Sequence, residues 1–385
     1  MTSTPIAGDA AVGDTADALA QEREALRSTV RTMLERTNSE AEVRRLMATE
    51  TGYDEAVWTQ AAEQLGLTGL AIPEEYGGSG FGPMELAVVF EEMGRALFCA
   101  PFLSTVGLAA NLLLASGDDA AKKEWLPQIA SGQTVATLAL TEEPSRWDAD
   151  AVTTTATRSG AGWKVSGTKW FVLDGHVADL VLVVARAESG LAVFAVSGSA
   201  RGLTREPMVT MDQTRKMARL AFDGVEAQLI GDEAQGWSVV EQGLRLGAVM
   251  LAAENVGGAQ RCLDMAADYA RKRIQFGRPI GSFQAVKHRL ANLLIEVEQA
   301  KSASYFAARE AGTGGGDLAL AASLAKAYTG DAFFHAAADN IQIHGGIGFT
   351  WEHPAHLYFK RAKTNQLLLG SSSHHRALVA DIVGI

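Results

Sequence analysis

The chain has 385 residues, a hydrophobic content of 47% and a formal net charge of -11 at pH 7. This length allows two or three structural units with a large core, and the negative charge argues against nucleic acid or anionic lipid as partners. No uncharged apolar run reaches the ~18 residues of a membrane span, and the N-terminus lacks the features of a secretory signal, so we expect a cytoplasmic protein.

The chain is predicted to begin with a disordered tail over residues 1–14, followed by a helical domain over residues 15–132. Segments such as DEAVWTQAAEQLG and GPMELAVVFEEMGRAL place apolar residues at three- and four-residue spacing, which is typical of amphipathic helices. The segment GLAIPEEYGGSGFG between them has the Pro and Gly residues of a loop. The two cysteines, Cys99 and Cys262, lie in apolar helical segments and are expected to be buried free thiols.

The hydrophobic period changes to two over residues 133–234. Runs such as VATLALTEEP and DLVLVVARAESGLAVFAV alternate, are rich in β-branched residues and are separated by glycine-containing turns. This pattern predicts an antiparallel β domain, either a small barrel or a folded sheet.

The last segment, residues 235–385, returns to helical periodicity. Ser238 and Ser282 are predicted N-caps of two long helices, and a third helix follows the TGGGD break from Asp317. Long helices joined by short breaks predict an antiparallel four-helix bundle. The expected fold is therefore α+β and multidomain, with a helical domain, an antiparallel β-barrel domain and a C-terminal four-helix bundle.

Two glycine-containing segments of the bundle carry residues suited to an anionic ligand. The first, YARKRIQFGRPIGSFQAVKHR, clusters arginines around a helix end, where compensation of the helix dipole is the alternative explanation. Guanidinium groups beside an aromatic ring suit a pyrophosphate and a purine. In the second, IQIHGGIGFTWEHPAHLYFKRAK, Gly345 and Gly346 allow close backbone approach to a ligand. The spacing of its histidines fits no metal motif, so no metal site is predicted.

These segments and the α–β–α order together resemble the acyl-CoA dehydrogenase family of flavoproteins, including actinobacterial-type fatty acid and steroid side-chain dehydrogenases. The resemblance runs from about Leu65 to the C-terminus. RIQFG at 273–277 and QIHGG at 342–346 carry it most strongly, and PEEYGG, LTE and GTKWF add weaker support. It implies α,β-dehydrogenation of an acyl-CoA thioester by FAD bound between the β domain and the bundle. Electron-transfer flavoprotein or another acceptor would then take the electrons.

The resemblance also implies the contacts with FAD. Thr141 is expected to hydrogen-bond the edge of the flavin ring, and Phe171 and Leu173 are expected to lie against the isoalloxazine. The residues expected around the cofactor of a neighbouring subunit are Arg273, Gln275, Phe276, Gln284, Gln342, Gly345 and Gly346. Ser371 and Ser373 are expected to cap the last helix and to touch the flavin diphosphate. Because such a site is shared between subunits, we expect a homo-oligomer or a hetero-oligomer.

The usual catalytic base of this family is missing from the chain. The family most often supplies it from a Tyr-Glu-Gly-Thr segment, and Leu369 stands where that Glu would be. At the alternative position, on the first bundle helix, the chain has Gly247. Glu254, one heptad later in an apolar run, is the candidate replacement if burial raises its pKa. The alternatives are a carboxylate paired with a nearby arginine or one that faces solvent.

Two further positions depart from the family. Ser145, Arg146, Trp147 and Asp148 replace its Gly-Ser-Asp segment, which puts the usual contacts near the pyrophosphate and CoA in doubt. Leu173 stands at the usual Thr beside the flavin. Three functions follow as hypotheses: a dehydrogenase with a relocated base at Glu254, a non-catalytic subunit that completes the FAD site of a partner, or a flavoprotein used for another reaction.

Overall fold

The N-terminal part of the chain is helical. The computed structural model describes residues 8–160, 162–314 and 317–385. Its first six helices are α1 (Gly8–Thr37), α2 (Glu40–Met47), α3 (Glu55–Thr59), α4 (Pro83–Ala96), α5 (Asn111–Ala115) and α6 (Asp119–Ala130). Since α1 begins at Gly8, the predicted tail overlaps a helix over residues 8–14, and residues 1–7 lie outside the described residues.

Side-chain caps and one tight loop determine where these helices begin and end. The hydroxyl of Ser39 accepts a hydrogen bond from the backbone of α2, and the carboxylates of Asp54 and Asp118 do the same for α3 and α6. In the loop before α4, a Cβ on Gly78 would lie 2.0 Å from the carbonyl oxygen of Ile72. Only glycine fits there, which explains the Gly-Gly pair of the predicted loop.

The middle of the chain forms a seven-stranded sheet. Its strands are β1 (Ala136–Ala139), β2 (Thr155–Ser159), β3 (Gly162–Leu173), β4 (Leu180–Arg186), β5 (Leu191–Ser197), β6 (Leu203–Pro207) and β7 (Met217–Ile230). A β domain is therefore confirmed. However, β1 pairs with β4 in parallel, and β2 pairs with β4 in parallel through Thr155 and Arg186. The sheet is therefore mixed, and the prediction of a wholly antiparallel barrel is wrong in this respect. Sequence periodicity shows hairpins between successive strands but not a pairing that skips two strands.

The C-terminal part forms the helical bundle. Its helices are α7 (Gly236–Lys272), α8 (Gln284–Thr313), α9 (Leu318–His344), α10 (Ala355–Leu367) and α11 (Ser372–Val383), and the short strands β8 (Ile274–Gln275) and β9 (Arg278–Pro279) form a hairpin between α7 and α8. The predicted caps Ser238 and Ser282 are wrong, because the residues that precede α7 and α8 are Gln235 and Phe283. Ser371 caps α11 as predicted, since its hydroxyl accepts from the backbone nitrogen of His374.

Close backbone contacts join α7 to the rest of the molecule. A Cβ on Gly94 of α4 would lie 2.0 Å from the carbonyl oxygen of Glu254, and one on Gly236 would lie 2.2 Å from the carbonyl oxygen of Leu191 at the start of β5. The α7 helix is thus pressed between the N-terminal helices and the sheet, which places the middle of α7 in the interior. Cys99 and Cys262 are buried free thiols, as predicted. Within the described ranges, no helix has the length and apolarity needed to cross a membrane.

Candidate active site

A cleft of 560 Å³ opens between the β domain and the last two helices of the bundle. It is lined by β3, by the segment that follows β1, by the segment that precedes β7, and by residues of α10 and α11. Among them are Thr141, Phe171, Met217, Leu368, Ser371 and His374. The volume falls within the ~300–1,000 Å³ typical of ligand pockets, and apolar walls with a few hydroxyl groups suit a flat heterocyclic ring.

Thr141 and Phe171 reach this cleft because their two segments are joined by hydrogen bonds. The hydroxyl of Thr141 donates to the carbonyl oxygen of Trp170 at 2.6 Å, and the amide of Trp170 donates to the carbonyl oxygen of Thr141 at 2.8 Å. Phe171 has a φ of 55°, a conformation that large side chains rarely adopt. The sequence prediction that these two residues share one site is therefore consistent with the geometry.

A buried ion pair, which sequence reasoning missed, holds the Thr141 segment in place. Lys169 is completely buried, and its ammonium donates to Glu142 at 2.9 Å and to the carbonyl oxygen of Leu140 at 3.0 Å. Burial would raise the pKa of Glu142, but hydrogen bonds from Thr153 and Thr154 and the charge of Lys169 lower it to about 2. Burial lowers the pKa of Lys169 to about 8. The only sequence signal for this pair was its place in the LTE and GTKWF motifs.

Leu173 lies outside the cleft, whereas Ser371 lines it and Ser373 lies next to Ser371. Leu173 is 3% exposed, belongs to the hydrophobic core and is absent from the cleft lining, so its side chain does not form the expected wall. Ser371 lines the cleft at the N-terminus of α11, where backbone amides favour an anion. The hydroxyl of Ser373 lies 2.9 Å from that of Ser371, which keeps both serines at this helix end.

The remaining predicted cofactor residues form a separate, exposed surface. Arg273 follows the end of α7, and Phe276 at the tip of the β8–β9 hairpin is 90% exposed. The Arg278 guanidinium lies 4.1 Å from the ring centre of Phe283, so this hairpin has a defined shape. The other exposed residues of the predicted set are Gln275, Gln284, Gln342, Gly345 and Gly346. None of this set lines the cleft of its own chain, so the predicted residues divide into a cleft group and a surface group.

The two positions at which the family carries its base lie side by side. A Cβ on Gly247 would lie 3.3 Å from Cδ1 of Leu369 and 2.4 Å from Cδ2 of Leu108. Leu369 is 3% exposed and Leu108 is equally buried. Apolar side chains thus fill the place where a carboxylate would meet a substrate, and neither position supplies a base.

Glu254 is buried and paired with arginines. It is 4% exposed, and its carboxylate accepts hydrogen bonds from Arg215, from Arg361 at 2.9 Å and from Asn365 at 3.1 Å. Burial would raise the pKa of Glu254, but the charges of the two arginines lower it to about 2. The predicted raised pKa is therefore wrong, and the alternative of an arginine-paired carboxylate is correct. A carboxylate with so low a pKa holds protons too weakly to act as a general base near neutral pH.

The partners of Glu254 could not be read from its neighbours in the sequence. Arg215 is 39 residues away along the chain and Arg361 is 107 residues away. The one available signal was an arginine in the otherwise buried face of α10, close to Asn365. Buried charges in proteins are normally paired, so such a residue indicates a partner without identifying it.

The histidines near Gly345 pack against each other. The rings of His344 and His353 are 4.2 Å apart, and Nδ1 of His344 donates to the carbonyl oxygen of Asn340 at 2.8 Å. Burial lowers the pKa of His344, His353 and His356. In the described part of the chain, no group of three or more His, Cys, Asp or Glu residues is arranged to hold a metal ion.

Sequence and structure comparisons identify similar proteins over nearly the whole chain. The models described as acyl-CoA dehydrogenase N-terminal, middle and C-terminal domains match residues 20–133, 137–225 and 234–384. The acyl-CoA dehydrogenase IpdE2 of Mycobacterium tuberculosis is 37% identical over 359 residues, which cover 91% of this chain and 94% of that protein.

Two solved structures of paired proteins are also similar. A variant of the Tcur3481–Tcur3483 steroid ACAD has a TM-score of 0.87 and 31% identity, and covers 95% of this chain and 98% of its own. A chain of the ChsE4–ChsE5 complex from Mycobacterium tuberculosis has a TM-score of 0.86 and 30% identity, with coverage of 94% and 97%. The similarity in both cases extends through all three domains.

Proposed function

The chain belongs to the acyl-CoA dehydrogenase family, and we propose that it is the subunit without a catalytic base in a hetero-oligomeric enzyme. As a member of this family it is a flavoenzyme of acyl-CoA dehydrogenase type, and the activity of that type acts on acyl-CoA thioesters. In this proposal, the chain completes the FAD site of a partner subunit. The partner carries the carboxylate that removes the proton from the substrate.

The observation that carries this proposal is that none of the three candidate positions, Leu369, Gly247 and Glu254, supplies a free carboxylate. Leu369 and Gly247 occupy the two family positions and lie against each other and Leu108. Glu254, the remaining candidate, is held by two arginines with a pKa of about 2. A side chain that cannot accept a proton at neutral pH cannot start the α,β-dehydrogenation.

The exposed surface at the β8–β9 hairpin supports a role toward a partner. Arg273 has no carboxylate within 4.0 Å among the described residues, although the whole chain carries a net charge of -11. An unpaired guanidinium three residues before the exposed Phe276 offers charge-assisted hydrogen bonds to a pyrophosphate, and the Phe276 ring offers a face for an adenine. We therefore assign Arg273, Gln275, Phe276, Gln284, Gln342, Gly345 and Gly346 to the cofactor of the partner.

The chain's own cleft also fits the flavin end of FAD. Thr141 offers a hydroxyl, Phe171 and Met217 offer an apolar wall, and Ser371 at the start of α11 suits a phosphate. A flavin supplies hydride acceptance when it is bound. In this proposal the protein contributes binding and orientation there, because Leu369 and Gly247 at the two family positions carry no carboxylate.

The substrate of the complex is proposed to be the CoA thioester of a bulky, steroid-derived acyl group. This follows from the similarity to the Tcur3481–Tcur3483 steroid ACAD, and the paired architecture of that protein and of ChsE4–ChsE5 supports a hetero-oligomer here. Electron-transfer flavoprotein or another acceptor is proposed to take the electrons from the reduced cofactor.

A comparison of the chain alone with the chain plus its partner tests the proposal. The purified chain, supplied with FAD, steroid-derived acyl-CoA and an artificial electron acceptor, is expected to show no flavin bleaching and no turnover. Co-expression with an acyl-CoA dehydrogenase homologue from the same genome that retains the Glu is expected to restore both. Turnover by the chain alone would overturn the proposal. If that turnover survives the Glu254→Gln substitution, Glu254 is also excluded as the base.

A further inference from the structure

A buried ion cluster joins the β domain to the bundle next to the cleft. Arg361 on α10 is 2% exposed. Its guanidinium donates to Asp212 at 3.0 Å, to the carbonyl oxygen of Thr214 at 2.9 Å and to Glu254 on α7 at 2.9 Å. One side chain thus connects the segment between β6 and β7 with two helices of the bundle.

The residues that flank this cluster in the chain form opposite walls of the cleft. Thr210 and Met211, directly before Asp212, line the cleft on the side of the β domain. Lys363 and Thr364, two and three residues after Arg361, line it on the side of α10. Because Arg361 binds the opposite wall through a planar fork, its hydrogen bonds determine how far the two walls stand apart.

The cluster is balanced in charge, so its buried charges compensate each other. Two arginines, Arg215 and Arg361, face two carboxylates, Asp212 and Glu254, and all four are at most 8% exposed. The low pKa of Glu254 means that its carboxylate stays ionised across the physiological range. Removal of any one member would leave a buried charge without its partner, which is strongly destabilising. The complete cluster is therefore the favourable arrangement of these four side chains.

We propose that Arg361, held by Glu254, is a positioning residue that sets the width of the cleft and thereby its affinity for a flavin. The inference rests on the proposed function only in taking a flavin as the ligand of this cleft. It gives Glu254 a role in the site that does not require it to accept a proton. It also explains why a charged cluster lies in the joint between two domains, where apolar packing alone would leave the spacing less defined.

Arg27 offers a matched control, because it forms a comparable cluster whose members do not line the cleft. Its guanidinium binds Glu91, Glu92 and Tyr305, and its side chain is 13% exposed. Arg27→Met and Arg361→Met each remove one cation from a buried network. Only the second of these networks reaches the walls of the cleft.

The test measures FAD affinity and amide hydrogen exchange in the full-length chain and its variants. Arg361→Met is expected to weaken FAD binding about tenfold or more, since a misplaced wall loses its contacts with the ring, and to increase exchange over residues 208–217. Arg27→Met is expected to lower the melting temperature without changing FAD affinity or exchange in this segment. Affinity within about twofold of wild type for Arg361→Met would overturn the inference, as would an equal loss in Arg27→Met.

Two further variants keep the test decisive. Arg361→Lys retains the charge but loses the planar fork, so it is expected not to restore FAD affinity. If Arg361→Met does not fold, Asp212→Asn is measured instead. This variant keeps the shape of the side chain and one hydrogen-bond acceptor, so a smaller loss of FAD affinity is expected. If the wild-type chain alone binds no FAD, hydrogen exchange decides, and unchanged exchange over residues 208–217 in the arginine variant would overturn the inference. These results do not depend on turnover, so a failure of the proposed hetero-oligomer is recognised separately.

Discussion

Leu369 and Glu254 illustrate how environment decides the role of a residue. Leu369 has a φ of 58°, which costs about 1–2 kcal/mol for a residue other than glycine. Its carbonyl oxygen lies 2.9 Å from Nε2 of the buried His375, which holds the backbone in that conformation. A defined backbone turn at this position thus carries an apolar side chain. Glu254 has the right functional group, but the arginines around it remove its basicity.

Glu254→Gln tests this environment at the residue scale. The substitution leaves Arg215 and Arg361 with less negative charge, so the free energy of unfolding at pH 7 should fall by roughly 3–5 kcal/mol. Glu241→Gln removes a half-exposed partner of Arg245 and should change the free energy of unfolding by less than about 0.5 kcal/mol. Urea denaturation of both variants measures the difference. An equally small effect in both would mean that the buried network contributes little to stability.

The same variant carries a pH signature. The folded pKa of Glu254, about 2, lies below the usual 4.5, so the unfolded state binds its proton first as the pH falls. The stability contributed by Glu254 is therefore complete above pH 4.5 and is lost as the pH falls toward 2. The difference in unfolding free energy between wild type and Glu254→Gln should shrink over that range. A constant difference would contradict the lowered pKa.

At the scale of the elements, one buried lysine connects the end of α10 to the turn before α11. Lys326 on α9 is completely buried, and its ammonium donates to the carbonyl oxygen of Gly370 at 3.1 Å and to that of Gln366 at 3.4 Å. It thereby satisfies carbonyls that a helix end leaves unpaired. Burial lowers the pKa of Lys326 to about 7, and Asp331 on the same helix partly offsets this effect.

Lys326→Met should change how stability depends on pH. Because the folded pKa of about 7 lies below the usual 10.5, the unfolded state holds the proton more tightly between these values. The free energy of unfolding of the wild type should therefore increase through Lys326 as the pH rises from 7 to 10.5. The variant should lack that increase. Urea denaturation at several pH values measures it, with the exposed Lys287→Met as control. Parallel pH profiles for wild type and Lys326→Met would contradict the expectation.

At the scale of the whole molecule, the residues proposed to bind the cofactor lie in two separate places. The cleft group includes Thr141 and Phe171, and the surface group includes Arg273 and Phe276. This division supports the proposal that a second subunit completes the site. Among the described residues Arg273 has no carboxylate within ion-pair distance, so its charge is available to an anionic ligand in this proposal.

Arg273→Ala tests the surface group. In the hetero-oligomer, the FAD content and the affinity for FAD should fall, since a charge-assisted bond to the diphosphate is worth about 1.5–3 kcal/mol. Arg271→Ala is the matched control, because Arg271 lies at the same helix end and is also exposed but is paired with Asp268. The flavin absorbance of the purified complex measures the effect. Equal FAD content in both variants would exclude the diphosphate contact.

Local patterns in the sequence were sufficient for the order of the three domains and for the exposed arginine hairpin. Helical and strand periodicities involve residues only a few positions apart, and motifs such as RIQFG and QIHGG occupy consecutive residues. The same locality explains the errors. The β1–β4 pairing, the burial of Leu173 and the true starts of α7 and α8 depend on contacts that no short window contains.

The sequence alone therefore determined that this chain has the framework of a flavin dehydrogenase and no carboxylate at Leu369 or Gly247. Only the tertiary structure decided the role of Glu254, because its partners lie 39 and 107 residues away. Folding brings Arg215 and Arg361 to its carboxylate, and at that distance their charges outweigh the effect of burial on its pKa. The residue type was visible in the chain, but its protonation was set by the neighbours that the fold supplies.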